Sequence, residues 1–169
     1  MSGRVSLGEI GGSRAERPGM VEGYGVSSGA EGLLTWDHVR RRMEASRNYW
    51  IGTTRPDGRP HAAPVWGVWL DDALFFGTDP RSRKARNLRA NPEVVAHLES
   101  GDDCVILEGV IEVESDPGLR RRVGEAYAEK YGLDALGGED GPPVYALRPR
   151  VAFAWLESSF PETATRWRL

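Results

Sequence analysis

The chain has 169 residues, enough for one domain with a buried core, and its 40% hydrophobic and 28% charged residues exclude a disordered composition. A net charge of -3 and a pI near 5.7 argue against broad binding to nucleic acid or an anionic membrane, but leave room for a local basic cluster that holds a small anion. The single cysteine, Cys104, excludes an intrachain disulfide and a Cys-rich zinc motif, and His38, His61 and His97 lack metal-ligand spacing, so no metal site is expected.

Residues 1–31 hold eight glycines with serines and charges and almost no periodic apolar residues, which predicts a flexible N-terminal tail ahead of a single domain over 32–169. The beginning of the chain has no apolar stretch of signal-peptide type, and no apolar run approaches the ~18 to 20 residues of a membrane helix, so a cytoplasmic protein is expected. Thr35 is placed to cap a helix running to about Ala45, with Trp36, Val39 and Met43 on one face. The pattern then turns to β. Tyr49 to Thr54 reads as a strand, Arg55-Pro56-Asp57-Gly58 as a tight turn, and His61 to Leu70 as a second strand. Pro64 interrupts that strand and predicts an edge, a bulge or a place where something other than a strand pairs. Asp71-Asp72 turns the chain into a third strand, Ala73 to Thr78.

A basic stretch, Arg81 to Arg89, reads as a short helix ended by Asn91-Pro92. Val94 to Glu99 is a fourth strand and Cys104 to Glu114 a fifth, bent at Gly109. Pro117 to Tyr131 is an amphipathic helix stopped by Gly132, with Leu119, Val123, Ala126 and Tyr127 inward. A loop at 137–143 leads to Val144 to Leu156, a sixth strand or pair interrupted at Pro149, and the chain closes with Thr163 to Leu169. The fold class is therefore mainly β with a few helices: about six antiparallel strands in a closed or nearly closed barrel.

Three features carry chemistry. Ser82, Arg83, Lys84 and Asn87 lie where a strand ends and a helix begins. Free N–H groups at a helix start, a hydroxyl and cations together suit a phosphate; a solvated basic helix face accounts for the same residues equally well. His61-Ala62-Ala63-Pro64-Val65-Trp66 has small residues and a proline, which leave backbone accessible to a flat ring. A barrel strand with an aromatic core residue is the alternative, and His61 reads as a turn-adjacent polar residue. Thr165-Arg166-Trp167-Arg168 is suited to stacking on an anionic aromatic ligand, or equally to packing a terminal strand with one tryptophan. Asp57, Asp71, Asp72, Asp102 and Asp103 sit in turns and are expected to face solvent, while Glu108 is a candidate to face the interior. No Ser/His/Asp set, P-loop or dinucleotide fingerprint is present, and no catalytic acid or base stands out.

Taken together, Ile51-Gly52-Thr53-Thr54, Gly58 to Trp66, Ser82-Arg83-Lys84-Ala85-Arg86-Asn87-Leu88 and Asn91-Pro92 resemble the pyridoxamine 5'-phosphate oxidase-like, FMN-binding split-barrel superfamily. The ending Ala164 to Arg168 is similar to its actinobacterial flavin/deazaflavin branch, whose members commonly use coenzyme F-420. The resemblance covers about residues 35–169. It implies a six-stranded antiparallel split barrel, homodimeric, with the cofactor at the subunit interface. It also implies that Ser82, Arg83 and Lys84 hold the cofactor phosphate, that Gly77 and Thr78 lie beside the ribityl chain, and that Ala63 to Trp66 run along the ring. Arg166 or Trp167 would close the site.

The implied activity is an F-420-dependent oxidoreductase that reduces an unsaturated or quinone-like small molecule. An FMN-dependent reductase or electron-transfer protein, or a non-catalytic carrier of a flavin-like cofactor, are the alternatives. The chain departs from the true oxidase, which has an arginine and a lysine where this sequence has Ala63 and Val68, and which ends in an Arg-x-His motif absent here. It departs from the heme-degrading branch too, because no histidine follows His97.

Overall fold

Alternating burial along Asn48–Thr54 (β2), in which Tyr49, Ile51 and Thr53 point inward, sets the inner wall of a barrel. The computed structural model describes residues 14–133, 135–136 and 141–169. β2 pairs on one side with Pro60–Leu70 (β3) and on the other with Glu93–His97 (β5). β3 pairs with Ala73–Gly77 (β4), β4 with Val144–Leu156 (β7), and β5 with Asp103–Val113 (β6). The pairing of β6 with β7 closes the ring, so β2 to β7 form a closed six-stranded antiparallel barrel. The expected fold class holds. β7 is one continuous strand through Pro149, not a pair, and the ladder absorbs that proline by a register shift at Glu108/Gly109. Gly109 is required there: a Cβ would lie 2.5 Å from the Arg148 carbonyl oxygen.

β7 also explains the split. Its first four residues pair with β4, while Val151 to Ala154 pair on the same side with Thr165–Arg168 (β8). The segment read as a tail contributes a strand that sequence reading did not expect: Ala15–Glu16 (β1) pairs with β8. Arg17 donates from its guanidinium to the carbonyl oxygens of Gly29, Glu31, Glu162 and Ala164, which ties the following loop to the C-terminal end. Residues 1–13 and 137–140, parts of the expected tail and loop, lie outside the described residues.

The helices cover the barrel ends and one flank. Trp36–Ala45 (α1) starts at the Thr35 cap and buries Trp36, Val39 and Met43 in the barrel core beside Tyr49, Ile51, Leu107 and Leu147. Pro117–Tyr131 (α3) covers the outside of β3, β4 and β7 through Val123 and Tyr127 against Val68, Phe75 and Ala146, and ends in a left-handed Gly132. Its last turn is locked to the barrel. Lys130 Nζ donates to Tyr49 Oη (2.7 Å) and the Gly67 carbonyl (3.1 Å), and Tyr131 Oη bridges Arg47 and Gly67. Burial lowers the Lys130 ammonium to about 8.

Two of the turn aspartates depart from expectation. Asp72 accepts from Arg40 and from Trp36 Nε1, and Asp103 holds His38 and Arg42, so both pin α1 to the barrel instead of facing solvent freely. Asp71 and Asp72 carry positive φ (50° and 58°), the conformation of a tight two-residue hairpin turn. Glu108 also differs. It is exposed on the outer face, since Val105 and Leu107 take the inward positions.

Candidate functional site

β3 pairs with β2 along Pro60 to Trp66, but its pairing with β4 begins only at Gly67. The second edge of residues 60–66 therefore has no strand beside it among the described residues. Pro64, in the middle of this edge, has no N–H to leave unpaired. Ala63 is half-buried and Pro64 exposed, while the Val65 side chain is spent on the core at 7% exposure. Trp66 is partly exposed and stacked on Tyr131, with ring centroids 4.8 Å apart at 4°, and the Arg47 guanidinium lies 4.9 Å from its centroid. Val68 is buried under α3, beyond the open edge.

A basic corner adjoins this edge. After β4 the chain turns at Thr78 to Ser82, with Ser82 N–H bonded to the Asp79 carbonyl, and enters Arg83–Ala90 (α2). Ser82 is the N-cap: its Oγ accepts from Ala85 N–H and from Thr78 Oγ1, each at 3.1 Å. The N–H groups of Arg83 and Lys84 at the helix start have no intrahelical acceptor and carry the positive end of the helix dipole. Gly77 is held tight against Leu136, since a Cβ would lie 2.3 Å from Leu136 Cδ2.

The cations divide sharply. Arg81 is neutralised by Asp79, to which it is bonded through Nε and Nη2. Among the described residues Arg83 and Lys84 have no ion pair or side-chain hydrogen bond. Partial burial pushes the Lys84 ammonium below its usual range. One turn further along α2, Asn87 is fully buried and donates from Nδ2 to Thr53 Oγ1 (2.9 Å), while its Oδ1 has no partner. Arg55, in the β2–β3 turn, has a buried Nε with no acceptor. His61 lies across from Thr53, its Nδ1 3.4 Å from Thr53 Oγ1, and is held below the usual imidazole range by burial first and then by Arg55, Lys84 and Arg83.

Cations without a partner among the described residues, free helix-start N–H groups and the buried Arg55 Nε are donors that fit a phosphate, whereas the unpartnered Asn87 Oδ1 is an acceptor and does not. Lys84 is half-buried beside the capped helix start, unlike a side chain on a fully solvated helix face. Beside the corner a groove of about 650 Å³ opens, lined by Gly52, Thr53, His61, Ala62, Val95 and Glu108.

Thus the structure brings Ser82, Arg83, Lys84, Asn87 and Thr78 together at one end of the open edge that carries Ala63 and Pro64. The C-terminal pair does not join them through any bond or ring contact. Arg166 is bonded to Glu16 (2.9 Å), and Trp167 is 1% exposed, its ring edge-on to Trp36 at 5.4 Å. Packing has claimed that tryptophan. The sequence reading did not name Thr53, Arg55 or His61 as site residues, and the structure places them beside α2. The signal available was a cation and a hydroxyl flanking the Asp57-Gly58 turn that faces the basic helix.

Residues 35–158 match the protein family described as pyridoxamine 5'-phosphate oxidase. A curated pyridoxine/pyridoxamine 5'-phosphate oxidase from Acidothermus cellulolyticus is 27% identical over 134 residues, spanning 78% of this chain and 57% of the relative's length. Among solved structures, a conserved hypothetical protein from Mycobacterium tuberculosis is 26% identical with a TM-score of 0.63, over 73% of this chain and 85% of the other. An F420 reductase is 23% identical with a TM-score of 0.51, over 65% of this chain and 91% of the other, a likeness of fold.

Proposed function

From the premise that this chain belongs to the pyridoxamine 5'-phosphate oxidase family, we propose that it is an oxidoreductase that binds a phosphate-bearing flavin or deazaflavin at the corner of α2, with F-420 as the cofactor and an unsaturated or quinone-like small molecule as substrate. The observation that carries this reading is Lys84, a partly buried cation with no acidic partner among the described residues, beside the capped start of a helix. Ser82, Arg83, Lys84 and Arg55 would hold the phosphate, Thr78 and Gly77 would flank the chain that follows it, and the open edge at Ala63 and Pro64 would lie along the ring. The cofactor, when bound, supplies the hydride chemistry. The protein's part is to neutralise the phosphate, orient the ring against an edge that offers backbone groups, and keep water from one side of it.

The F-420 reading rests on the C-terminal resemblance and on Ala63, which leaves the open edge without the arginine of the oxidase. Val68 does not bear on the choice, since it lies under α3. FMN is the second reading, favoured by the family match itself. Titration of the purified protein with F-420 and with FMN, followed by fluorescence, separates them: F-420 is expected to bind more tightly, and tighter FMN binding would overturn that choice. Lys84→Ala should weaken whichever cofactor binds by about 1 to 3 kcal/mol, and unchanged affinity for both removes Lys84 from the site.

We also propose that the cofactor site is completed in a homodimer. Trp50, His97, Ile106 and Phe153 are directly opposed across β2, β5, β6 and β7 and form a half-exposed, largely apolar row on the outer face. A second copy of the chain fits such a surface better than water does. Sedimentation equilibrium should give a dimer, and Phe153→Glu should give a monomer with weakened cofactor binding.

A further inference from the structure

His61 is the titratable side chain at the corner, and charged groups reach it from two elements. The β2–β3 turn contributes Arg55, and α2 contributes Arg83 and Lys84. From β2 it meets only the neutral Thr53, which Asn87 holds in place from the same helix. Asn87 follows Arg83 by four residues and Lys84 by three, so the three lie along one side of α2 and the Thr53 contact brings that side to His61. The acidic groups nearby are engaged or set apart. Asp57 is bonded to Arg59, and across the groove Glu93 is paired with Arg150, while Glu108 stands on β6. His97, also on the groove, is bonded to the Leu98 carbonyl and stacked on Trp50. No carboxylate is bonded to His61 among the described residues.

Burial first, and then the cations of Arg55, Lys84 and Arg83, hold the imidazole below its usual range. An anion placed among Arg55, Arg83 and Lys84 opposes the cationic part of that field: it offsets the repulsion and adds an attraction for an imidazolium. We propose that His61 is the proton-linked member of the phosphate corner, taking up a proton from solvent when an anionic phosphate binds, so that the corner holds a phosphate of fixed charge more tightly as the pH falls through the histidine range. This rests on the reading of the corner as a phosphate site and adds to it a pH dependence and a residue. By linkage, the anion raises the proton affinity of His61 by the same factor by which the proton raises anion affinity.

Sulfate tests this cleanly, because it stays a dianion from pH 5 to 8 whereas phosphate itself titrates. The chain has three histidines, so the C2–H resonance of His61 can be assigned by comparison with His61→Gln, with His38 and His97 as internal references. Saturating sulfate is expected to move the His61 midpoint up by about one pH unit and to leave the two references in place. Sulfate should then bind about tenfold more tightly at the acid end of the range than at the alkaline end. His61→Gln should bind it without that dependence, and Lys84→Ala should lose both binding and shift. Sulfate that binds equally at both ends with His61 unmoved overturns the proposal and leaves the phosphate corner standing. If sulfate does not bind, and Lys84→Ala changes neither F-420 nor FMN affinity, the corner and the proposal fall together.

Discussion

Two basic segments of this protein look alike on paper and differ in what surrounds them. At the start of α2, Arg83 and Lys84 have no acidic partner among the described residues and sit near a buried Arg55 Nε and Asn87 Oδ1 that lack mates. At the C-terminus, Arg166 and Arg168 both bond to Glu16 of β1, and Trp167 between them is in the core. Among the described residues the first segment has cations without counter-ions; the second has used its charge and its ring to fasten the chain end to the barrel. A cation count locates neither function. What decides is whether the fold supplies the counter-ion.

The contrast can be broken by substitution, and the largest effect belongs to the C-terminal segment. Trp167→Ala should cost about 3 to 5 kcal/mol of stability, as for other buried aromatics, read by denaturant melts. Its cofactor affinity, measured on the folded fraction, should change little; a large loss of affinity with stability intact would return Trp167 to the site. The next effect is at the corner and has the opposite signature. Lys84→Ala should lose about 1 to 3 kcal/mol of cofactor binding without losing stability.

The pH profile sharpens this. Folding lowers the Lys84 pKa, so the unfolded chain binds more protons as the pH approaches the ordinary lysine range, and the free protein gains stability there as pH rises. Lys130, lowered to about 8, contributes with the same sign between about pH 8 and its unfolded value near 10.4. Lys84→Ala should flatten its share of that rise, and a profile identical to wild type would mean that Lys84 is not held under strain by its surroundings.

The smallest effect is at Glu16. Its carboxyl is held below the usual range by the Arg168 hydrogen bond, opposed by burial and aided by Arg166. A depressed carboxylate stabilises above its unfolded pKa and loses that contribution as pH falls through the folded value. Because the pair is largely solvent-screened, Glu16→Gln should cost at most about 1 kcal/mol at neutral pH, and the gap from wild type should close below about pH 4. A gap that persists in acid would mean that β1 is fastened by its backbone pairing rather than by this charge.

Much of the barrel was legible because its signals are local. The Thr35 cap, the Asp71-Asp72 turn, the Gly132 stop and the bend at Gly109 each depend on neighbours in sequence, and each is where it was expected. Pro64 foretold the open edge, since a residue without an N–H is tolerated where no strand pairs. The docking of Ala15 and Glu16 on β8 was not legible, because two residues carry no period and their partner lies at the other end of the chain. Asp72 and Asp103 were misplaced for a related reason: turn residues look solvent-bound until a distant helix arrives with Arg40, His38 and Arg42.

For the basic corner, the sequence by itself determined the ingredients: a capping serine, two cations and an asparagine at helical spacing, directly after a buried strand. Only the tertiary structure decided which charges remain available. Asp79 takes Arg81 out of play, while Arg55 and His61 arrive from a hairpin more than twenty residues upstream to complete the cluster. Charge is written residue by residue, but neutralisation and burial are properties of pairs that the fold alone brings together.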